Sequence, residues 1–367
     1  ARSADDGRIY RHADGRWIPA PNRSAGDHWI DRISASRLRA YSRGGQIFGL
    51  PRDVHPVALA YRADLFAEAG IDLTAPTPGR QYVTWDDFAE RCRAFQGYWR
   101  KRGVGRRWAM DLFSANADML VALLLQRGVN LVGFDGRVHL RDPIVVDTLL
   151  FYADLVAGPN RISADSVSAG LGTWKRDLED GVVCAALMPD WRVPDLRAVT
   201  ADGPLHGAFR LCPLPRFDDA SARTTTWGGT MIALPRHARD AEQAWKVVES
   251  LYLDDSATAA QMQKLGILPA VVDAWQSPAA ADGDPLFGGQ SAIELYARLA
   301  PHVPVQELSA DSAFAASALG YVLTQVVAAK QQDVPPGDLR ARAMEWLATR
   351  QADVERQIVH QRLTTPP

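Results

Sequence analysis

The chain has 367 residues, 47% hydrophobic and 23% charged; this is near globular averages but too long for one ordinary core, so two domains are expected. Its 41 basic and 43 acidic residues give a formal charge of −2 and form no basic stripe, which argues against a nucleic-acid partner. No apolar run approaches the roughly 18 residues of a membrane span, and no charged start with an apolar centre marks a signal peptide, so a soluble chain is expected.

Before Ile47 the text is rich in Arg, Asp, Gly and Pro and offers no apolar strand. From Ile47 onward short apolar runs alternate with amphipathic stretches, the pattern of an α/β fold. Residues 57–61 read as the first clear strand. Thr84 is an N-cap ahead of Trp85, Asp86 and Asp87, whose charges suit a helix start, so a helix is expected over 84–102. Helices over 118–127 and 143–156 follow, then strands at 182–187, 209–212 and 231–234. Further helices are expected over 240–253, 291–300 and 312–330. Pro335, Pro336, Gly337 and Asp338 open a last helix over 336–358, where Leu339, Ala343, Trp346, Leu347, Val354 and Ile358 recur at helical spacing as a core-facing stripe.

Catalytic and metal motifs are missing. Cys92, Cys184 and Cys212 have no CxxC or Cys/His spacing, and the odd number leaves at least one free thiol, with a Cys184–Cys212 disulfide left open. The eight histidines contain no HExxH. No GxSxG, GxGxxG or Walker-type GxxxxGK is present, so Gly228-Gly229 and Gly288-Gly289 are not phosphate loops. Asp86/Asp87, Asp218/Asp219 and Asp254/Asp255 read as caps and turns, since sequence neighbours point in different directions. No catalytic residue, metal or cofactor is expected, although glycosidase carboxylates drawn from distant segments would leave no motif.

A series of ordered segments resembles a known family. They are Gly45-Gln46-Ile47-Phe48-Gly49-Leu50-Pro51 with Leu59-Ala60-Tyr61-Arg62-Ala63-Asp64-Leu65-Phe66 and Ala69-Gly70-Ile71; then Thr84-Trp85-Asp86-Asp87-Phe88. Next come Gln126-Arg127-Gly128, Asp135-Gly136-Arg137-Val138, Asp142-Pro143 and Tyr152-Ala153-Asp154-Leu155. Leu178-Glu179-Asp180-Gly181-Val182-Val183-Cys184-Ala185-Ala186 follows, ending at Met188-Pro189-Asp190-Trp191. The last group is Leu214-Pro215, Trp227-Gly228-Gly229-Thr230-Met231-Ile232-Ala233-Leu234-Pro235, Ala244-Trp245 and Gly266-Ile267-Leu268-Pro269-Ala270. In this order they resemble extracellular solute-binding protein family 1, the maltose-binding-protein-like sugar-binding proteins of ABC transporters. Phe287-Gly288-Gly289-Gln290 is similar to a loop of many sugar-binding members. The resemblance departs at the front, where the apolar strands that open such proteins are not readable.

The resemblance implies an α/β, two-lobed periplasmic-binding-protein-like fold with a ligand cleft between lobes joined by hinge crossings. By analogy, lobe one comprises residues 1–56 and 231–282, lobe two 57–230 and 283–367, with crossings near 56–59 and 229–233. It further implies a non-enzymatic, extracytoplasmic component of an ABC importer, monomeric, that binds a carbohydrate and docks on permease subunits, with membrane contact only through the permease or a lipid anchor. A glycerophosphodiester or phosphorylated-polyol binder of the same fold, kept open by Arg52, and a glycoside-acting enzyme are the alternatives.

Sugar sites need flat aromatic faces for pyranose CH groups and planar polar side chains for hydroxyls. Trp191 follows an apolar strand directly and is poorly placed for the core beneath it, so it is the leading stacking residue, with Asp190 beside it. Trp227 precedes Gly228 and Gly229, which would let a ligand approach the backbone. Asp53 and His55 precede the first crossing; His55 matches an acidic sugar contact of the maltose-binding protein, while Asp53 alternatively caps a turn. Ser114 and Asn116 fall in a segment that supplies sugar contacts in the family and equally suit N-capping. Trp174, Trp275, Gln290 and Phe314 are lesser candidates, and Trp85, Trp99, Trp245 and Trp346 read as packing residues.

Overall fold

The computed structural model describes residues 29–43, 46–166, 171–200, 205–235 and 238–364. The front of the expected first lobe, residues 1–28, and Gly45 of the first resembling segment lie outside them. A 3-10 turn at Trp29–Arg32 precedes α1 (Ala35–Ala40), β1 (Ser42–Arg43), β2 (Gln46–Ile47), β3 (Leu50–Pro51), β4 (Val57–Arg62), α2 (Ala63–Glu68) and α3 (Trp85–Arg100). Next are β5 (Met110–Phe113), α4 (Asp118–Gln126), α5 (Pro143–Val156), β6 (Ser163–Ser166), α6 (Leu171–Glu179), β7 (Ala185–Pro189), α7 (Val193–Thr200) and β8 (Phe209–Pro213). The chain continues through β9 (Met231–Ile232), α8 (Ala241–Tyr252), α9 (Asp255–Leu265), α10 (Ala292–Leu299), α11 (Ser312–Gln331) and α12 (Pro336–Thr364).

The main sheet has the order β6-β5-β7-β4-β8. Strand β4 is antiparallel to both β7 and β8, whereas β5 is parallel to β6 and β7. Alternation along β4 sends Val57 and Leu59 to one face and the small Ala58 and Ala60 to the other. The first face packs under α3, α4, α5, α11 and α12; the second receives Trp174 of α6, Leu196 of α7 and Leu295 of α10. Two smaller clusters stand apart: Trp29, Ile33, Leu50, Val248 and Val271 form one, and Val54, Met262, Leu268, Ala300 and Val303 the other.

Local chemistry explains the helix starts. Thr84 Oγ1 accepts the Asp87 N–H at 3.2 Å, and Asp142 Oδ1 accepts that of Ile144 at 2.8 Å ahead of Pro143. By length and apolar composition α11 could cross a membrane, contrary to the expectation from the sequence. Its face of Leu319, Val322, Leu323 and Val326 is instead fully buried in the first cluster. The Cys184–Cys212 disulfide does not form: all three cysteines are free and buried, and burial pushes the Cys184 and Cys212 thiols up to about 12.

Candidate aromatic ledge and crossing segments

Strand direction decides which loops meet. Chain enters β4 at Val57, which pairs with Pro189 at the end of antiparallel β7, so Asp190 and Trp191 emerge beside the start of β4. Because β5 runs parallel to β7, Phe113, Ser114 and Asn116 leave the sheet at that same edge. Pro56 bridges Thr226, which brings Trp227, Gly228 and Gly229 there as well. The carboxyl ends of parallel strands are where open α/β sheets bind ligands.

Three rings form a ledge at this edge. Trp191 and Trp227 meet edge to face with centroids 5.5 Å apart, and Trp227 meets Phe113 similarly at 6.2 Å. The Trp191 indole N–H donates to the Trp227 carbonyl at 2.8 Å, which fixes one ring relative to the other. Each of the three is half-buried. Phe113 is not legible from the sequence as a site residue, since the four-residue strand that presents it carries little local signal. Gly228 and Gly229 lie exposed after Trp227 with φ of +97° and +132°. At Gly228 a Cβ would stand 3.4 Å from the Trp191 indole nitrogen, so glycine keeps the approach to that ring open.

Ser114 is buried, and Asn116 is half-buried with its Oδ1 accepting the Asp118 N–H at 3.1 Å, the capping alternative for that residue. Phe314 is half-buried against the first cluster. A crevice of about 320 Å³ is lined by Tyr41, Phe48, Leu308, Ser309, Ala310 and Met231, of which Met231 lies two residues along the chain from Gly229.

Asp53, His55 and Asp190 are buried rather than displayed to a ligand. His55 Nε2 lies 3.2 Å from Asp53 Oδ1, and its Nδ1 lies 2.6 Å from Asp190 Oδ1. Asp53 Oδ1 also accepts the Thr230 N–H at 2.8 Å, while the Asp190 carboxylate accepts the Trp191 and Leu268 N–H groups, each at 2.7 Å. Burial works against a charged His55, but the two carboxylates outweigh it and push its pKa up to about 9. Burial likewise works against charge on Asp53, yet its bonds to His55 and Thr230 hold it below the usual range. Arg37, which sequence reasoning missed, is buried beside them: it donates to the Asp53 carbonyl at 3.2 Å and the Tyr41 hydroxyl at 2.9 Å.

Three other candidates serve the fold. Gln290 pairs both carboxamide atoms with the Leu211 backbone on strand β8, at 2.9 and 2.8 Å, where that strand has no neighbouring strand on its outer side among the described residues. It also lines a crevice of about 540 Å³ along that outer edge, with Leu73, Tyr82, Arg223, Arg298 and His302. Trp275 packs against the Val54 cluster and donates to the Pro269 carbonyl at 2.8 Å. Trp174 is a core residue beneath the Arg192 guanidinium, which lies 4.3 Å from its ring.

Residues 24–287 match the family described as bacterial extracellular solute-binding protein. The arabinooligosaccharide-binding protein of Bacillus subtilis (strain 168) is 22% identical over 247 residues, covering 67% of this chain and 54% of that protein. The protein of the same name from Halalkalibacterium halodurans is 23% identical, covering 68% and 53%. The chain therefore spans about half the length of the curated relatives it matches. Among solved structures, the ABC transporter associated binding protein of B. animalis subsp. lactis Bl-04, in complex with beta-1,6-galactobiose, aligns with a TM-score of 0.67 at 17% identity, covering 89% of this chain and 77% of that one.

Proposed function

We propose a capture role from one premise: this chain belongs to the bacterial extracellular solute-binding protein family. In this reading it binds a sugar or short oligosaccharide outside the cytoplasm and delivers it to the permease of an ABC importer, without transforming it. The observation that carries the sugar is the ledge of Phe113, Trp227 and Trp191 at the strand ends. Pyranose CH faces stack on such rings, and ring contact excludes water from the neighbouring hydroxyl bonds. Half-buried Asn116 supplies a polar group on the β5 side, and the glycine pair admits the ligand close to the main chain. The names of the relatives, which concern arabinooligosaccharides and a galactobiose, support a carbohydrate ligand.

The proposal divides the chain into lobe one, residues 1–56 and 231–282, and lobe two, residues 57–230 and 283–367. Two crossing segments support the division: 52–54 is zipped to Thr230 and to 268–270, and Pro56 is bridged to Thr226. Closure of the lobes about these segments would report occupancy to the permease.

Calorimetry against arabinooligosaccharides, galactobiose, maltose, monosaccharides and glycerophosphodiesters, with product analysis of each mixture, tests the reading. Stoichiometric binding of a sugar without turnover is expected. Release of a shorter sugar, or binding of the phosphodiester in place of every sugar, overturns it.

A further inference from the structure

We infer that Asp53, His55 and Asp190 form a buried latch that positions the Trp191 wall of the ledge and couples it to both crossing segments. This rests on the sugar-capture reading only for its consequence for affinity. All three are buried and act as positioning residues. The latch joins parts of the chain that are far apart in sequence. Asp53 lies just before the first crossing, Thr230 on the second, Asp190 at the end of β7, and Leu268 after α9, and a single imidazole with two carboxylates binds all four.

The geometry is specific in three ways. Each ring nitrogen of His55 faces a carboxylate oxygen, so both nitrogens donate and the ring is held as the cation. Asp190 uses one oxygen for His55 and the Trp191 amide and the other for the Leu268 amide, so the aromatic wall and the opposite segment share one carboxylate. His55 also sits at φ +55°, a conformation that costs a β-substituted residue energy and that the ion pair over-determines.

Charge in the cluster is balanced. The two carboxylates face His55, and Arg37 approaches Asp53 from α1 while binding the Tyr41 hydroxyl. From α10, Tyr296 lies near Asp190 and donates its hydroxyl to the Met188 carbonyl at 2.8 Å. The largest charged influences on His55 are those of Asp190 and Asp53. Removing the proton from His55 leaves two buried carboxylates opposed by Arg37 alone, and the Asp190 carboxylate then has reason to turn from the ring. Trp191 follows it, because its amide rides on that carboxylate.

The test is a titration from pH 6 to 10.5 of the ligand-free protein by tryptophan emission, repeated with sugar by calorimetry. Wild type is expected to change emission in one step near pH 9, with the sugar Kd rising at least tenfold across it. His55→Asn, which tolerates the left-handed backbone but carries no charge, is expected to lose the step and bind weakly at every pH. Trp191→Phe is expected to lose the step in emission while keeping the fold. Absence of the step in wild type, or its survival in either variant, overturns the latch. If His55→Asn fails to fold, the wild-type and Trp191→Phe titrations decide alone. A step in emission with no sugar bound leaves the latch standing and defeats the sugar reading instead.

Discussion

The Trp191 indole N–H donates to the Trp227 carbonyl at 2.8 Å, although the residues belong to a strand end and to the approach to a crossing segment, 36 positions apart. One bond thus sets the angle between the two largest rings of the ledge. Replacing either tryptophan by alanine removes a stacking face worth roughly 1–3 kcal/mol of sugar affinity. Calorimetry should find that loss in both variants. Trp191→Phe, which keeps a face but not the donor, should fall between wild type and Trp191→Ala.

Gly229 offers a sharper test of the crossing. Its φ is +132°, and a Cβ there would overlap the Arg37 guanidinium and stand 2.7 Å from its Cζ. Arg37 cannot withdraw without giving up its bonds to Asp53 and Tyr41. Gly229→Ala should therefore cost roughly 2–4 kcal/mol. Gly70 also has positive φ but nothing near a new Cβ, so Gly70→Ala should cost only about 1 kcal/mol. Thermal unfolding of the pair separates a clash from backbone strain.

Stability should fall on the alkaline side because of one histidine. The His55 pKa is raised from 6.5 to about 9 in the folded chain, so its contribution is complete below the unfolded value and disappears as pH rises through about 9. At about 1.4 kcal/mol per pH unit this is on the order of 3 kcal/mol. Melting temperatures from pH 6 to 10 should decline in wild type across that window. In His55→Asn they should start lower and lack this component; equal slopes in the two proteins would refute the assignment.

How far the sequence discloses this arrangement depends on where the partners lie. The helix expected over 143–156 forms as Pro143–Val156 because its cap, its proline and its apolar period are all local. Strand β5 is hidden in the sequence because Met110–Phe113 is four residues with a buried aspartate, and β6 because Ser163–Ser166 carries almost no apolar signal. Both are strands by virtue of parallel pairing with each other, a contact that no local pattern encodes. Two of the three ledge rings are legible, as Trp191 and Trp227 sit beside strand-end punctuation, and Phe113 is hidden together with its strand. Asp53, His55 and Asp190 look alike as ligand contacts or as a buried ion pair. Only the 135-residue return of Asp190 to His55 separates those readings.

Gln290 shows the same ambiguity resolved toward the fold. Its carboxamide accepts from the Leu211 N–H and donates to the Leu211 carbonyl, so it stands in for a neighbouring strand at the open edge of β8. Two residues further, Pro213 offers no N–H at that edge. Gln290→Ala would leave both Leu211 groups without these bonds in a partly buried position, at a cost of about 1–3 kcal/mol. Since the side chain lies across the sheet from Trp191, with β8 and β4 between, sugar affinity should stay within twofold of wild type. A lowered melting temperature with unchanged calorimetry is expected. Loss of affinity at unchanged stability would return Gln290 to the ligand site.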